Sequence, residues 1–98
     1  MKAEAIKRAV SPSQFYRAEL PNAPHWKTGA SGWQSGGLCP FHRDNHAGSF
    51  RVNLDSGAFR CFSCGASGGD VLDFTKQRQG IGFLEAVARL SESWGVLA

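Results

Sequence analysis

An α+β fold, a small antiparallel sheet flanked by helices, is predicted by three observations. Ser49-Phe50-Arg51-Val52-Asn53-Leu54 alternates polar and apolar residues, and turn residues and a second short run follow it, which is the pattern of a β-hairpin. Phe83, Val87, Leu90 and Trp94 recur at helical spacing near one end of the chain, as Ala3, Ile6 and Val10 do near the other. The hairpin lies between two ligand-type pairs, Cys39/His42 and Cys61/Cys64, each with two residues between its members.

Size and composition set the frame for these elements. Ninety-eight residues with 42% hydrophobic and 19% charged content make one ordinary folded domain and exclude wholesale disorder. A chain this short buries only roughly 60–65% of its unfolded surface, so its core is thin and a disulfide or a metal is often added. Three cysteines, an odd number, exclude a closed disulfide framework. No apolar run approaches the ~20 residues of a membrane span, and Met1-Lys2-Ala3-Glu4-Ala5-Ile6 lacks the apolar stretch of a signal peptide. A soluble, cytoplasmic protein with reduced thiols is expected, with no membrane among its partners. The net charge of +3 and pI near 9.0 suit a polyanionic partner without demanding one.

From the N-terminus, residues 2–20 read as helical. Glu4 and Arg8 form a favourable i,i+4 pair, and Ser11-Pro12-Ser13-Gln14 starts a second helix with an N-cap, a Pro in the first turn and a capping-box Gln. That helix ends near Leu20, because Pro21 follows. Residues 21–38 are loop-like and Gly/Pro-rich, without the order of a phosphate-binding loop. Trp26 and Trp33 are expected to pin this loop to the core, the alternative being that they stack on a ligand. In the hairpin, Phe50, Val52 and Leu54 share one face and Ser49, Arg51 and Asn53 the other, Asp55-Ser56-Gly57 makes the turn, and Ala58 to Phe62 returns. Asp70 caps a helix running to about Gln79, with Gly80 as its stop. The stripe Phe83/Val87/Leu90/Trp94 forms a last helix, ended by Gly95, whose apolar face packs on the hairpin or the first helices.

Two residues between ligands is the spacing at which a tight turn aims both side chains at one ion, and a hairpin between two such pairs brings them together. Cys39, His42, Cys61 and Cys64 therefore form a Cys₃His set for one structural Zn2+, which uses every cysteine of the chain. Gly65 follows the second pair, where the turn needs a backbone without Cβ. A redox reading of Cys61-Phe62-Ser63-Cys64 would require the pair to open a helix in a βαβ unit, whereas here it follows a strand. Four protein ligands leave no open position for catalysis and no carboxylate has the spacing of a general base, so no catalytic residue is assigned. His46 is either a solvated loop residue or a second-shell or substitute ligand, and His25 carries no motif.

Cys39-Pro40-Phe41-His42, Ser49-Phe50, Phe59-Arg60-Cys61-Phe62-Ser63-Cys64-Gly65 and Gly68-Gly69-Asp70-Val71 together resemble the CHC2 zinc-binding domain of bacterial and phage DNA primases, over about residues 32–95. The resemblance implies a zinc ribbon with these four ligands and aromatic knuckle positions at Phe41 and Phe62. It also implies contact with single-stranded DNA template in support of RNA primer synthesis, which a separate TOPRIM-type polymerase domain carries out. No such domain follows within the 98 residues, so a stand-alone or excised module is expected, a primase component that is not catalytic alone. It would belong to a primosome or a mobile element, with a primase polymerase domain or a replicative helicase as partner. Two departures stand out: Gly48-Ser49-Phe50 replaces the family's Pro-Ser-Phe with one more residue after the His, and the stretch before Trp33 is longer and richer in Gly and Pro. Residues 1–31 are accordingly read as a helical segment and loop, and 32–98 as the zinc-ribbon domain with its helices, the whole being compact.

Single strands are held by cations that track phosphates and flat groups that stack bases. Strand alternation puts Arg51 and Asn53 on one face of the hairpin and Arg60 and Phe62 opposite Phe59 and Cys61. If the two faces coincide, Arg51, Asn53, Arg60 and Phe62, extended by Arg43 on the first knuckle, make a DNA-binding surface. The bland reading of the same residues is a solvated face balanced by Asp44 and Asp55. The alternative function is a structural zinc module that docks a helicase, polymerase or other replication protein. Asp70 and Asp73 read as first-turn charges suited to a helix dipole, not as a catalytic pair.

Overall fold

The computed structural model of the chain describes residues 2–43 and 48–95. Two helices open it, α1 (Lys2–Ala9) and α2 (Pro12–Glu19), and two close it, α3 (Val71–Gln79) and α4 (Phe83–Trp94). Between them β1 (Trp33–Ser35), β2 (Phe50–Asn53), β3 (Phe59–Cys61) and β4 (Ser67–Gly68) form one antiparallel sheet in the order β1-β2-β3-β4. This is the α+β architecture that the sequence predicts.

The hairpin follows from its alternation. In β2–β3 the register pairs Phe50 with Cys61, Arg51 with Arg60 and Val52 with Phe59, so the apolar residues share the inner face. The Asn53 carboxamide oxygen accepts the Asp55 and Ser56 amides at 2.9 and 3.0 Å, which closes the turn. The buried Tyr16 hydroxyl donates to the Gly57 carbonyl at 2.5 Å and ties α2 to the turn. β1 and β4 extend the expected hairpin to four strands. They are three and two residues long, with no alternation of their own, and arise by pairing with β2 and β3.

Aromatic rings carry the core from the helices to the sheet. Phe15 meets Phe74 edge-on at 5.5 Å, Phe74 meets Phe59 at 5.4 Å, and Phe59 stacks on Phe41 at 5.4 Å. Such pairs contribute about 0.5–1.5 kcal/mol each beyond burial. Ala3, Ile6 and Val10 of α1 and its junction are buried in the same core, as are Val52, Leu72 and Leu90.

Helix ends obey their local chemistry. Ser11 Oγ accepts the Gln14 amide at 3.5 Å, a long cap, and Pro12 occupies the first turn. Asp70 accepts the Asp73 amide at 2.9 Å while Asp73 accepts the Gly69 amide at 2.9 Å, and Lys7 pairs with Asp70 at 3.0 Å, linking α1 to the start of α3. Both acids are thus helix-start groups. Gly80 and Gly95 end α3 and α4 in the left-handed conformation.

Two expectations need correction. Trp26 anchors its loop, 6% exposed, but Trp33 does not: it is 48% exposed on the outer face of β1. In α4 the buried residues are Ala86, Val87, Leu90 and Ser91, and the helix packs on α1 and α3. Phe83, expected in the stripe, is exposed with Leu84 at the helix start, and Lys76 lies 5.9 Å from its ring. His46 and Asp44 lie outside the described residues.

Candidate metal centre and nucleic-acid interface

The four ligand-type residues converge. The sulfur atoms of Cys39, Cys61 and Cys64 and a ring nitrogen of His42 all lie within 4.8 Å of one another. Cys39 Sγ stands 3.8 Å from Cys64 Sγ, and Cys61 Sγ stands 3.9 Å from His42 Nδ1. A tetrahedron with zinc–ligand bonds of about 2.0–2.3 Å has edges of roughly 3.3–3.8 Å, so the donor set fits one structural zinc ion and these last two separations are close to such edges.

The chain builds this geometry locally. The Phe41 amide donates to Cys39 Sγ and the Cys64 amide to Cys61 Sγ, each at 3.4 Å, so each pair closes on a tight knuckle. Gly65 completes the second knuckle at φ 83°, where a side chain would be strained, and its amide returns to the Cys61 carbonyl at 3.0 Å. Burial pushes the Cys39 thiol up to about 12, with the Phe41 amide pulling it down. Burial also opposes ionisation of Cys61, but the Cys64 and Ser63 amides outweigh it and hold that thiol below its ordinary value. Cys61 is therefore better prepared than Cys39 for a thiolate, and a bound cation would draw Cys39 into that state.

The aromatic residue of the first knuckle points inward. Phe41 stacks on Phe59 and meets Phe74 edge-on at 5.3 Å. The second knuckle does the reverse: Phe62 is 68% exposed and the Arg60 guanidinium lies 5.1 Å from its ring centroid.

Arg51 and Arg60 sit directly opposite each other on the outer face. They form a hydrogen-bonded pair of the ladder, so their Cα atoms are about 5.5 Å apart. Like charges so placed destabilise a sheet, and neither arginine makes an ion pair among the described residues. Together with Trp33 and Phe62 they line a depression of about 320 Å³. Trp33 is the residue of this surface that the sequence pattern assigns to the core in preference to a ligand: it stands in a Gly-rich stretch, on a strand too short to show alternation. Asn53 lies on the same face, but its carboxamide oxygen is held by the turn. Arg43 is exposed beside His42, and it is not among the residues that line the depression with Arg51 and Arg60. His25 is exposed at the rim of a separate cleft.

Comparison with known proteins agrees with this geometry. The family model described as CHC2 zinc finger matches residues 26–97. The DNA primase of Lactococcus lactis is 45% identical over 60 residues, which is 61% of this chain and 9% of that protein. The DNA primase of Thermotoga maritima is 44% identical over 59 residues, 60% of this chain and 10% of that protein. The chain thus spans about a tenth of the length of the curated relatives it matches. A crystal structure of the Aquifex aeolicus primase, comprising its zinc binding and RNA polymerase domains, aligns over 99% of this chain and 22% of that one, with a TM-score of 0.75 and 25% identity.

Proposed function

The chain belongs to the CHC2 zinc finger family, and from that premise we propose that it is the template-binding zinc module of a DNA primase. In this reading it holds single-stranded DNA on the outer face of its sheet while a primase polymerase domain makes the RNA primer. One observation carries the reading: two arginines that make no ion pair among the described residues face each other across β2 and β3, between an exposed Trp33 and an exposed Phe62. Their mutual repulsion costs stability, and a phosphate backbone would offset it. Exposed aromatic faces beside them suit unpaired bases, which duplex DNA does not offer. The zinc ion would contribute rigidity, fixing β2, β3 and Phe62 relative to one another. Residues 1–31 and the zinc ribbon would act as one folded unit, since Phe15, Tyr16 and Trp26 share a core with Phe50 and Phe59.

The test is anisotropy of labelled single-stranded oligonucleotides titrated with zinc-loaded protein at several salt concentrations. With about three phosphate contacts, log K is expected to fall against log salt with a slope of roughly −2. Arg51→Ala/Arg60→Ala should flatten that slope and weaken binding. No binding by the zinc form at low salt would overturn the reading. The second reading, docking to a polymerase domain, a helicase or another replication protein, has its own observation in Leu84, 80% exposed beside Phe83 at the start of α4.

A further inference from the structure

Arg60 on β3, Arg51 on β2 and Ser35 on β1 occupy one row that crosses the strands, because the register pairs Arg60 with Arg51 and Arg51 with Ser35. With strands about 4.8 Å apart, this row runs roughly 10 Å from Arg60 to the open edge at β1. Trp33 flanks it two residues along β1, and Phe62 flanks it on the other side, two residues beyond Arg60. The arginine row therefore leads off the sheet at Ser35.

A built feature stands at that exit. Ser35 and Gln34 line a cleft of about 560 Å³ together with Pro24, His25, Trp26 and the Lys27–Ala30 turn. The loop is fixed to the edge rather than draped on it. The Trp26 indole donates to the Ser35 carbonyl at 3.0 Å, the Gln34 carboxamide donates to the Ser31 carbonyl at 2.9 Å, and the Ala30 amide closes the turn on the Lys27 carbonyl at 3.0 Å. Lys27 is exposed in this turn and makes no ion pair among the described residues. Arg17 lines the adjoining hollow with Trp26 and Lys27. No Asp or Glu occurs anywhere from Leu20 to Arg43, so nothing within this stretch neutralises the loop.

We infer that the Trp26–Ala30 loop is a second contact site for a single-stranded nucleic acid, engaging the phosphates that leave the sheet past Ser35, with Lys27 as its principal cation. This rests on the template-binding reading and extends it by a location and a length dependence. A short strand fills the arginine row alone, whereas a longer one also reaches Lys27. The loop makes its contact through charge, so its contribution is sequence-independent and salt-sensitive.

The experiment compares zinc-loaded wild type, Lys27→Glu and Arg51→Ala/Arg60→Ala by anisotropy with labelled thymidine oligomers of about four and about sixteen nucleotides, the range of single-strand site sizes. Lys27 is exposed, so the substitution is expected to leave the fold intact, which circular dichroism checks. Lys27→Glu is expected to weaken the long oligomer about five- to tenfold at low salt and to lower its salt slope by about 0.7, the share of one phosphate on a single strand. Its affinity for the short oligomer should stay within about twofold. The arginine variant should lose both. Unchanged long-oligomer binding by Lys27→Glu, with the arginine variant impaired, overturns the loop site and leaves the sheet site standing. Equal weakening of both oligomers by Lys27→Glu also overturns it, since the effect is then a general charge effect. Failure of the wild type to bind either oligomer removes both sites.

Discussion

The two zinc knuckles carry the same kind of residue between their ligands and use it in opposite ways. Phe41, between Cys39 and His42, is partly buried and stacks on Phe59 against the core, whereas Phe62, between Cys61 and Cys64, stands 68% exposed beside Arg60. The cause is position in the chain. Phe62 follows Cys61, whose side chain faces inward at the end of β3, so alternation turns Phe62 outward. Phe41 comes from a knuckle that lies on no strand, and its ring is free to seek the apolar side. One knuckle thus adds the metal to the core, and the other presents the metal's rigidity to solvent. A similar division runs through the whole sheet, with Phe50, Val52, Phe59 and Cys61 within and Trp33, Arg51, Arg60 and Phe62 without.

The broadest way to break this comparison is to take away what both knuckles share. Apparent zinc-binding free energies of roughly 10–16 kcal/mol exceed or match a typical ~5–15 kcal/mol folding stability. Chelation is therefore expected to unfold at least residues 38–66, seen as lost hydrogen-exchange protection in β2 and β3. A melting curve unchanged after confirmed zinc loss would contradict a structural metal. Acid should act in the same direction, because the thiolates and neutral imidazole that hold the ion must be protonated as pH falls.

Next in size is the difference between the two phenylalanines. Phe41→Ala should cost about 2–3 kcal/mol, somewhat less than the ~3–5 kcal/mol usual for a fully buried aromatic ring, because Phe41 is partly buried. Phe62→Ala, at an exposed site, should fall within about 0.5 kcal/mol of wild type. Urea titrations of the zinc-loaded variants check both values, and similar costs for the two would erase the distinction.

A smaller effect sharpens the comparison from the helical side. Tyr16→Phe leaves the buried Gly57 carbonyl without its donor and should cost about 1–3 kcal/mol. Burial first, then the Asp70 and Asp73 carboxylates, raise the Tyr16 phenol well above its ordinary value of 10.0. Above about pH 10 the unfolded chain ionises this tyrosine while the folded chain keeps it neutral. Stability is then fully present below that pH and falls as pH rises, by up to about 1.4 kcal/mol per unit. Alkaline unfolding curves of the Tyr16→Phe variant should lack that share of the decline.

What the sequence disclosed follows the same line. The metal set was legible because ligand spacing is a local property, and the hairpin because five inward-facing residues, Phe50, Val52, Leu54, Phe59 and Cys61, repeat at period two. The caps at Ser11 and Asp70 and the stops at Gly80 and Gly95 are likewise local. β1 and β4 were not legible, since a strand of two or three residues in Gly-rich chain exists only through its neighbour. Trp33 was misread for that reason: without the pairing of Trp33 with Asn53, nothing assigns its face. Phe83 was misread because helical spacing gives a stripe but not where the neighbouring helices end, and the buried face of α4 is centred on Ala86, Val87, Leu90 and Ser91.

The most direct test of the account is the affinity of zinc-loaded Phe62→Ala for a single-stranded oligonucleotide, measured beside its stability. The account predicts a loss of about 1–3 kcal/mol in binding, the usual worth of a base–aromatic stack, with the urea midpoint unmoved. Unchanged affinity, or an affinity loss that merely tracks a loss of stability, would contradict the assignment of the outward knuckle to a ligand.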